Sequence, residues 1–409
     1  MAWPFGHFNL MEVMNMDGKQ NCVVFLTVSP QGFLQLEGAQ MAVAIRNAVY
    51  AEMESDSYVA TIDANMDSPA WSYLRKSYES NRILSAANST ALVKKIEKLF
   101  FDYKNVLLEF AGGMNILKHL IPVKMKYGNR FRIVASVWYY RNGTWLGCIW
   151  SLIFAILYLK YVDRVIFGCP YAARNFTLSS LLFRKGLACI MPLAGTSSDE
   201  GDADAAWNVL SKRNLDGVLQ DKSAFKIVYM AQLRRLKNHI WLTKALLPVM
   251  KEHQNIHVIY CGAEGEVSFE QIRNLARAEH LESRFYLPGR LPYESVPTIL
   301  KNVDCAIVPS RTETYGFTYV EPMMFGVPVL GTRIGVGEYA IQDYFNGLSF
   351  SLSSPTDFQR KVKFLVENRD ITSRMGQNAK RFADEVFSMC HVALMRVDLY
   401  KSILRDGKV

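Results

Sequence analysis

Short apolar runs rich in β-branched residues recur along this chain, separated by stretches long enough for a helix. In the first half such runs lie at 22–29, 106–110, 133–137 and 165–167, with a last one at 189–193. A helix of small and aliphatic residues is predicted at 39–51. Segment 195–202 is then small, polar and acidic, and reads as a surface loop near a boundary. The second half begins afresh, with strand 225–230, helix 239–252, strand 257–260, helix 269–279 and strand 305–308. A loop, a short apolar helix ended by Gly326 and Pro328, and a strand at 327–331 follow. Beyond Phe350 the pattern is helical and amphipathic, and Leu394, Val397, Leu399, Tyr400, Ile403 and Leu404 are apolar near the end. Strands alternating with helices of this length build parallel sheets from βαβ units. Two such series, each with its own start, predict an α/β protein of two Rossmann-like domains, parallel-sheeted and facing a cleft. The expected boundaries are 1–220, 221–386, and a C-terminal helix at 387–409 packing back toward the N-terminal domain.

One stretch breaks the alternation. Residues 142–159 carry no charge and are dominated by Trp, Leu, Ile, Phe and Tyr. By length the stretch is a candidate membrane span. The runs on either side read as short buried strands, and a span would put them on opposite faces of a bilayer. A core helix is therefore preferred, with an interfacial membrane-docking helix as the alternative.

Length and composition narrow the class. A chain of 409 residues can bury a large core, and 50% apolar with 21% charged residues is the composition of a globular protein. The net charge of +9 is uneven: residues 94–141 hold ten Lys/Arg against three acids. Such a balance suits a phosphorylated ligand, an anionic lipid surface or nucleic acid. No zinc-finger, RNA-recognition or basic-zipper pattern is present, so nucleic acid is not expected as a partner. The seven cysteines are irregularly spaced, without a C-x-x-C, as fits reduced thiols in the cytoplasm. The seven histidines form no ligand cluster, so no metal is expected. The N-terminus has no basic region of a signal-peptide type.

The chemistry gathers at 309–322, where Glu313 and Glu321 stand on either side of Gly316. Their separation is not a whole number of helical turns, so one continuous helix would not align them. A turn at Gly316 is needed, and it lets the backbone approach a ligand closely. Free N–H groups at the following helix start favour a phosphate, and a carboxylate stabilises a developing cationic centre. Spacing alone is weak, since two glutamates at any given separation are common.

The surrounding residues are more specific. Val308-Pro309-Ser310, Glu313, Gly316-Phe317, Glu321, Gly326-Val327-Pro328-Val329 and Gly331-Thr332 resemble the core signature of GT-B fold, family-4 retaining glycosyltransferases. Further matches follow that family's order: Cys261-Gly262-Ala263-Glu264-Gly265, Phe285-Tyr286-Leu287-Pro288-Gly289, Gly335-Val336-Gly337-Glu338, Asn346-Gly347-Leu348 and Met375-Gly376-Gln377-Asn378-Ala379. The resemblance is strong from about 225 to 387. It implies that Glu313 lies close to a donor sugar and that Glu321 binds a nucleotide ribose. Thr314, Tyr315, Gly316 and Phe317 would offer backbone N–H groups to the donor, with Gly262 on the same donor side. Lys237 matches the lysine that meets the leaving diphosphate and is expected to be catalytic with Glu313. The arginine expected five residues before it is Gln232, and a neutral amide cannot neutralise a diphosphate; Arg234 and Arg235 are the compensating candidates. In the N-terminal half Gly38 resembles the glycine loop entering the first helix. Trp138 and Tyr139 stand where the family commonly has a histidine, so these three are the acceptor-side candidates.

The resemblance thus implies an enzyme that transfers a sugar from a nucleotide-diphosphate donor, without metal or other cofactor, to a glycan or lipid-linked acceptor. A role in bacterial cell-surface polysaccharide synthesis is expected, in the cytoplasm with peripheral contact to an anionic membrane. The alternatives are a non-catalytic homologue that scaffolds a partner transferase, and a sugar-nucleotide epimerase of the same fold.

Overall fold

The computed structural model describes residues 21–26, 36–53, 55–62, 69–111, 114–137, 145–195, 203–313 and 315–405. Its first strands are β1 (Asn21–Leu26), β2 (Asp56–Ile62), β3 (Ile83–Ala86) and β4 (Asn105–Ala111). They are followed by β5 (Phe131–Val137), β6 (Arg164–Phe167) and β7 (Ala188–Ile190). The second series is β8 (Phe225–Met230), β9 (Ile256–Cys261), β10 (Phe285–Gly289), β11 (Cys305–Val308), β12 (Val329–Gly331) and β13 (Gly347–Ser349).

One sheet has the order β3-β2-β1-β4-β5-β6-β7 and the other β10-β9-β8-β11-β12-β13. β1 runs parallel to β2 and β4, and β8 runs parallel to β9 and β11. Parallel neighbours need crossovers, which is why a helix separates most consecutive strands. In both sheets the strand that begins the series lies inside the sheet, and the order reverses beside it. That reversal is the topological switch point of a doubly wound sheet, where the loops diverge and leave a crevice at the strands' carboxyl ends.

By contacts the chain divides into two compact units, residues 1–133 with 397–409, and residues 134–396. In the first, β1 is buried at every position, and the Tyr400 hydroxyl donates to the buried Glu109 carboxylate of β4. In the second, β8 is buried at five of its six positions. The helix His239–Glu252 turns Leu242, Leu246 and Val249 inward at helical spacing, all fully buried. Each such side chain stabilises the fold by roughly 1.5–3 kcal/mol relative to exposure.

The uncharged stretch forms the helix Trp145–Tyr161, the crossover between β5 and β6, which pair in parallel from Val134 with Arg164 to Val137 with Phe167. Ala155 and Tyr158 face inward, while Leu152, Ile153 and Ile156 are 42%, 38% and 51% exposed. Among the described residues, no helix is long and apolar enough to cross a membrane.

Candidate functional site

Two loops leave the carboxyl ends of β8 and β11, the adjacent strands at the second switch point. After β8 the chain makes a single 3-10 turn, Arg235–Lys237, then Asn238 takes a left-handed conformation and starts the helix His239–Glu252. After β11 the loop reaches Gly316 and enters the helix Phe317–Met324. The loops are joined where Arg311 N–H donates to the Leu236 carbonyl at 2.9 Å.

This junction brings Lys237 and Glu313 together. Lys237 Nζ donates to Glu313 Oε1 at 2.6 Å, and Ser310 Oγ donates to the same oxygen at 2.7 Å. Tyr229, from β8, donates to the Lys237 carbonyl at 3.0 Å and lies 3.1 Å from Ser310 Oγ. Burial pushes the Tyr229 phenol well above its ordinary pKa, so it remains a neutral donor. The Glu313 side chain is only 7% exposed and that of Lys237 24%. An ion pair this far from water holds its geometry because breaking it would leave a charge buried and uncompensated. Beneath it, His239 is fully buried, with its ring 4.6 Å from that of Tyr229 and 5.3 Å from that of Tyr260. Burial, with the nearby Lys237 charge, pushes the His239 pKa down to about 3, so the imidazole is neutral.

Glycine shapes the other wall. Gly316 has φ +105°, and a Cβ there would come within 2.8 Å of the Tyr319 ring. Gly335 has φ +60°, and its Cβ would fall 2.3 Å from the Tyr315 carbonyl oxygen. The close approach at Gly335 allows Val336 N–H to donate to that oxygen at 2.6 Å, binding the 335–338 turn to the Glu313 loop. No described side chain caps the helix Phe317–Met324, so its first N–H groups point into the same region.

Of the other expected donor-side residues, Gln232 is exposed at the start of the β8 loop, and its amide donates to the Glu264 carbonyl at 3.4 Å across the Gly262 turn. Arg234 and Arg235 are exposed on the same loop, where Arg235 N–H donates to Glu266 Oε2 at 2.9 Å. Phe317 is 37% exposed and Tyr315 only 4%. Glu321 is half-buried on the helix that Gly316 begins. Thr314, Trp138 and Tyr139 lie outside the described residues. Gly38 is the third residue of the helix Leu36–Met53 in the first unit. Among the described residues no group of three or more His, Cys, Asp or Glu could hold a metal ion.

Tyr229 carries no motif of its own, yet together with Ser310 of the Val308-Pro309-Ser310 run it orients the ion pair. The Tyr315 hydroxyl accepts from Leu193 N–H at 3.0 Å and donates to the Leu193 carbonyl at 3.1 Å, fastening the motif loop to the segment after β7. Arg174 pairs with Glu338 at 2.5 Å. The alternation of Tyr229 within an apolar strand would have indicated burial, but nothing in sequence pairs residues so far apart.

Two parallel sheets of this order, with a lysine–carboxylate pair over the second switch point, define a GT-B fold. The structure superimposes on Anabaena Alr3699/HepE in complex with UDP and glucose with a TM-score of 0.67 at 16% identity, covering 93% of this chain and 99% of that one. Residues 212–382 match the family described as glycosyl transferases group 1. The chain is similar to D-inositol 3-phosphate glycosyltransferase of Corynebacterium kroppenstedtii, 28% identical over 252 residues, 60% of this chain and 54% of that protein. It is also similar to N-acetyl-alpha-D-glucosaminyl L-malate synthase of Bacillus anthracis, 23% identical over 183 residues, 44% of this chain and 46% of that protein. The matches thus span about half the length of these curated relatives.

Proposed function

We propose that the protein is a retaining glycosyltransferase that moves a sugar from a nucleotide-diphosphate donor to a hydroxyl of a glycan or lipid-linked acceptor. The observation that carries this reading is the partly buried Lys237–Glu313 pair at the carboxyl ends of β8 and β11, beside an uncapped helix start. UDP and glucose in the Anabaena structure support a nucleoside diphosphate sugar as donor. In the preferred mechanism the bond from anomeric carbon to diphosphate oxygen breaks, and the acceptor oxygen attacks on the face the diphosphate leaves. The departing diphosphate takes the acceptor proton. Lys237, the helix N-terminus at Phe317 and the loop arginines Arg234 and Arg235 meet its charge, and Glu313 faces the transferred sugar. Glu321 holds the ribose, with backbone N–H groups from Thr314 to Phe317 and the Gly262 turn beside the donor. Gly38, Trp138 and Tyr139 are assigned to the acceptor side. No metal forms part of this reading. The acceptor is placed in cell-surface polysaccharide synthesis, at the inner face of the membrane.

The neutral Gln232 at an expected arginine favours one alternative, a homologue that scaffolds a partner transferase. A panel of UDP-, GDP- and other nucleotide sugars separates the two. Nucleotide release that disappears in Glu313→Gln is the outcome expected of the enzyme. Absence of donor binding by calorimetry across the whole panel would sink it in favour of the scaffold.

A further inference from the structure

We propose that the outer face of the helices Ser89–Asp102 and Met114–Tyr127 is a docking surface for an anionic lipid bilayer. This deepens the acceptor reading above and rests on it for its purpose, while the surface itself is argued from these two helices alone. They lie side by side in the first unit. Their C-terminal turns meet where the rings of Phe100 and Tyr127 stack at 3.8 Å and Lys126 Nζ pairs with Glu97 at 3.1 Å. Leu92, Val93, Ile96 and Leu99 of one, and Leu117, Leu120 and Val123 of the other, are spent on the core.

The opposite faces follow one plan. Lys94, Lys98 and Phe101 stand four and three residues apart on the first helix, and Lys118, Pro122 and Met125 repeat that spacing on the second. All six are exposed. Each stripe therefore begins basic and ends apolar, with Lys94 and Lys98 before Phe101 on the first helix and Lys118 before Pro122 and Met125 on the second. Phe101 is 87% exposed and Met125 71%. The two helices carry six lysines against Glu97 and Asp102, and Glu97 is already paired with Lys126. Lys95 and Lys124 reach backbone carbonyls of Ser85 and Phe131, both at 2.6 Å, and Lys126 is paired with Glu97, so the outward charge comes from Lys94, Lys98 and Lys118.

The form of the patch selects the occupant. A stable protein interface has a contiguous apolar centre depleted in lysine, which two isolated tips among lysines do not supply. Single-stranded nucleic acid needs a groove with successive stacking platforms, and the two stripes offer one aromatic ring, Phe101. A bilayer interface accepts single Phe and Met side chains at headgroup depth while lysines meet anionic headgroups.

The test is sedimentation of the full chain with phosphatidylcholine vesicles, with and without phosphatidylglycerol. Binding is expected only with the anionic lipid and is expected to weaken at high salt. The double variant Phe101→Glu, Met125→Glu should lose partitioning by roughly tenfold or more. Its melting temperature and nucleotide-sugar affinity should stay unchanged, because neither side chain is packed. Equal binding by both proteins, no binding by the wild type, or loss on Ile156→Glu instead would overturn the assignment. So would binding of an RNA oligonucleotide with no binding of vesicles. A failed donor panel with vesicle binding intact and lost in the double variant would remove the transferase reading and leave the surface standing.

Discussion

At the scale of single residues, Lys237 and Glu313 depend on each other. Each is drawn from water by the fold, and each is the other's compensation. In the proposed reaction Lys237 also meets the diphosphate, so Lys237→Ala should weaken donor-diphosphate affinity by about tenfold to a hundredfold, the size of a charge-assisted hydrogen bond. Glu252→Ala is the matched control, since Glu252 pairs with Lys363 at the far end of the helix His239–Glu252 and should leave affinity within about twofold. Titration calorimetry with a nucleoside diphosphate measures both, and equal affinities would take Lys237 out of the site. These two residues were legible because the motif around Glu313 and the lysine after the first strand of the second series are local patterns. Gln232 was legible as a departure, but not its consequence. Only the structure shows its amide turned to the Glu264 turn, with Arg234 and Arg235 left exposed on the loop.

At the scale of elements, the buried parallel strands were readable and the polar edge was not. Strand 305–308 and helix 239–252 match their observed bounds, because continuous apolar runs and a clear helical face leave little choice. β2 and β3 were missed. β2 carries Asp56, Ser57 and Thr61 among its apolar residues, and β3 is a four-residue strand at the sheet edge. The run at 189–193 was read as one strand, but pairing stops at Ile190, and Leu193 spends its backbone on the Tyr315 hydroxyl. No periodicity announces such a contact. It gives the Glu313 loop a further anchor besides the Arg311 and Val336 N–H bonds, and Tyr315→Phe removes it while keeping the ring. Because Leu193 is buried, its unpaired N–H and carbonyl should cost about 1–3 kcal/mol. The melting temperature is expected to fall, and the donor KM to rise severalfold with kcat little changed. A variant with a lowered melting temperature but an unaltered KM would confine the bond to stability.

At the scale of the whole molecule, the fold keeps a titratable ring under its candidate site in one protonation state, and this couples folding to pH. His239 is neutral in the folded chain, with a pKa of about 3, and takes up a proton in the unfolded chain near its ordinary value of 6.5. Above that ordinary value both states are neutral and the group contributes nothing to the pH dependence. As pH falls through it, the unfolded chain binds the proton and the folded chain does not, so stability is lost progressively until the folded ring also protonates. Between neutrality and pH 5 the loss from this one group is about 2 kcal/mol. Burial shifts His257 in the same direction, adding to the loss. His239→Phe keeps an aromatic ring between Tyr229 and Tyr260 and removes the titration. Its urea midpoint should therefore fall less than that of the wild type between pH 7.5 and pH 5, with the remainder belonging to His257 and the carboxylates. Parallel losses in the two proteins would mean that the unfolded chain does not protonate this ring ahead of the folded one, and that acid lability arises elsewhere.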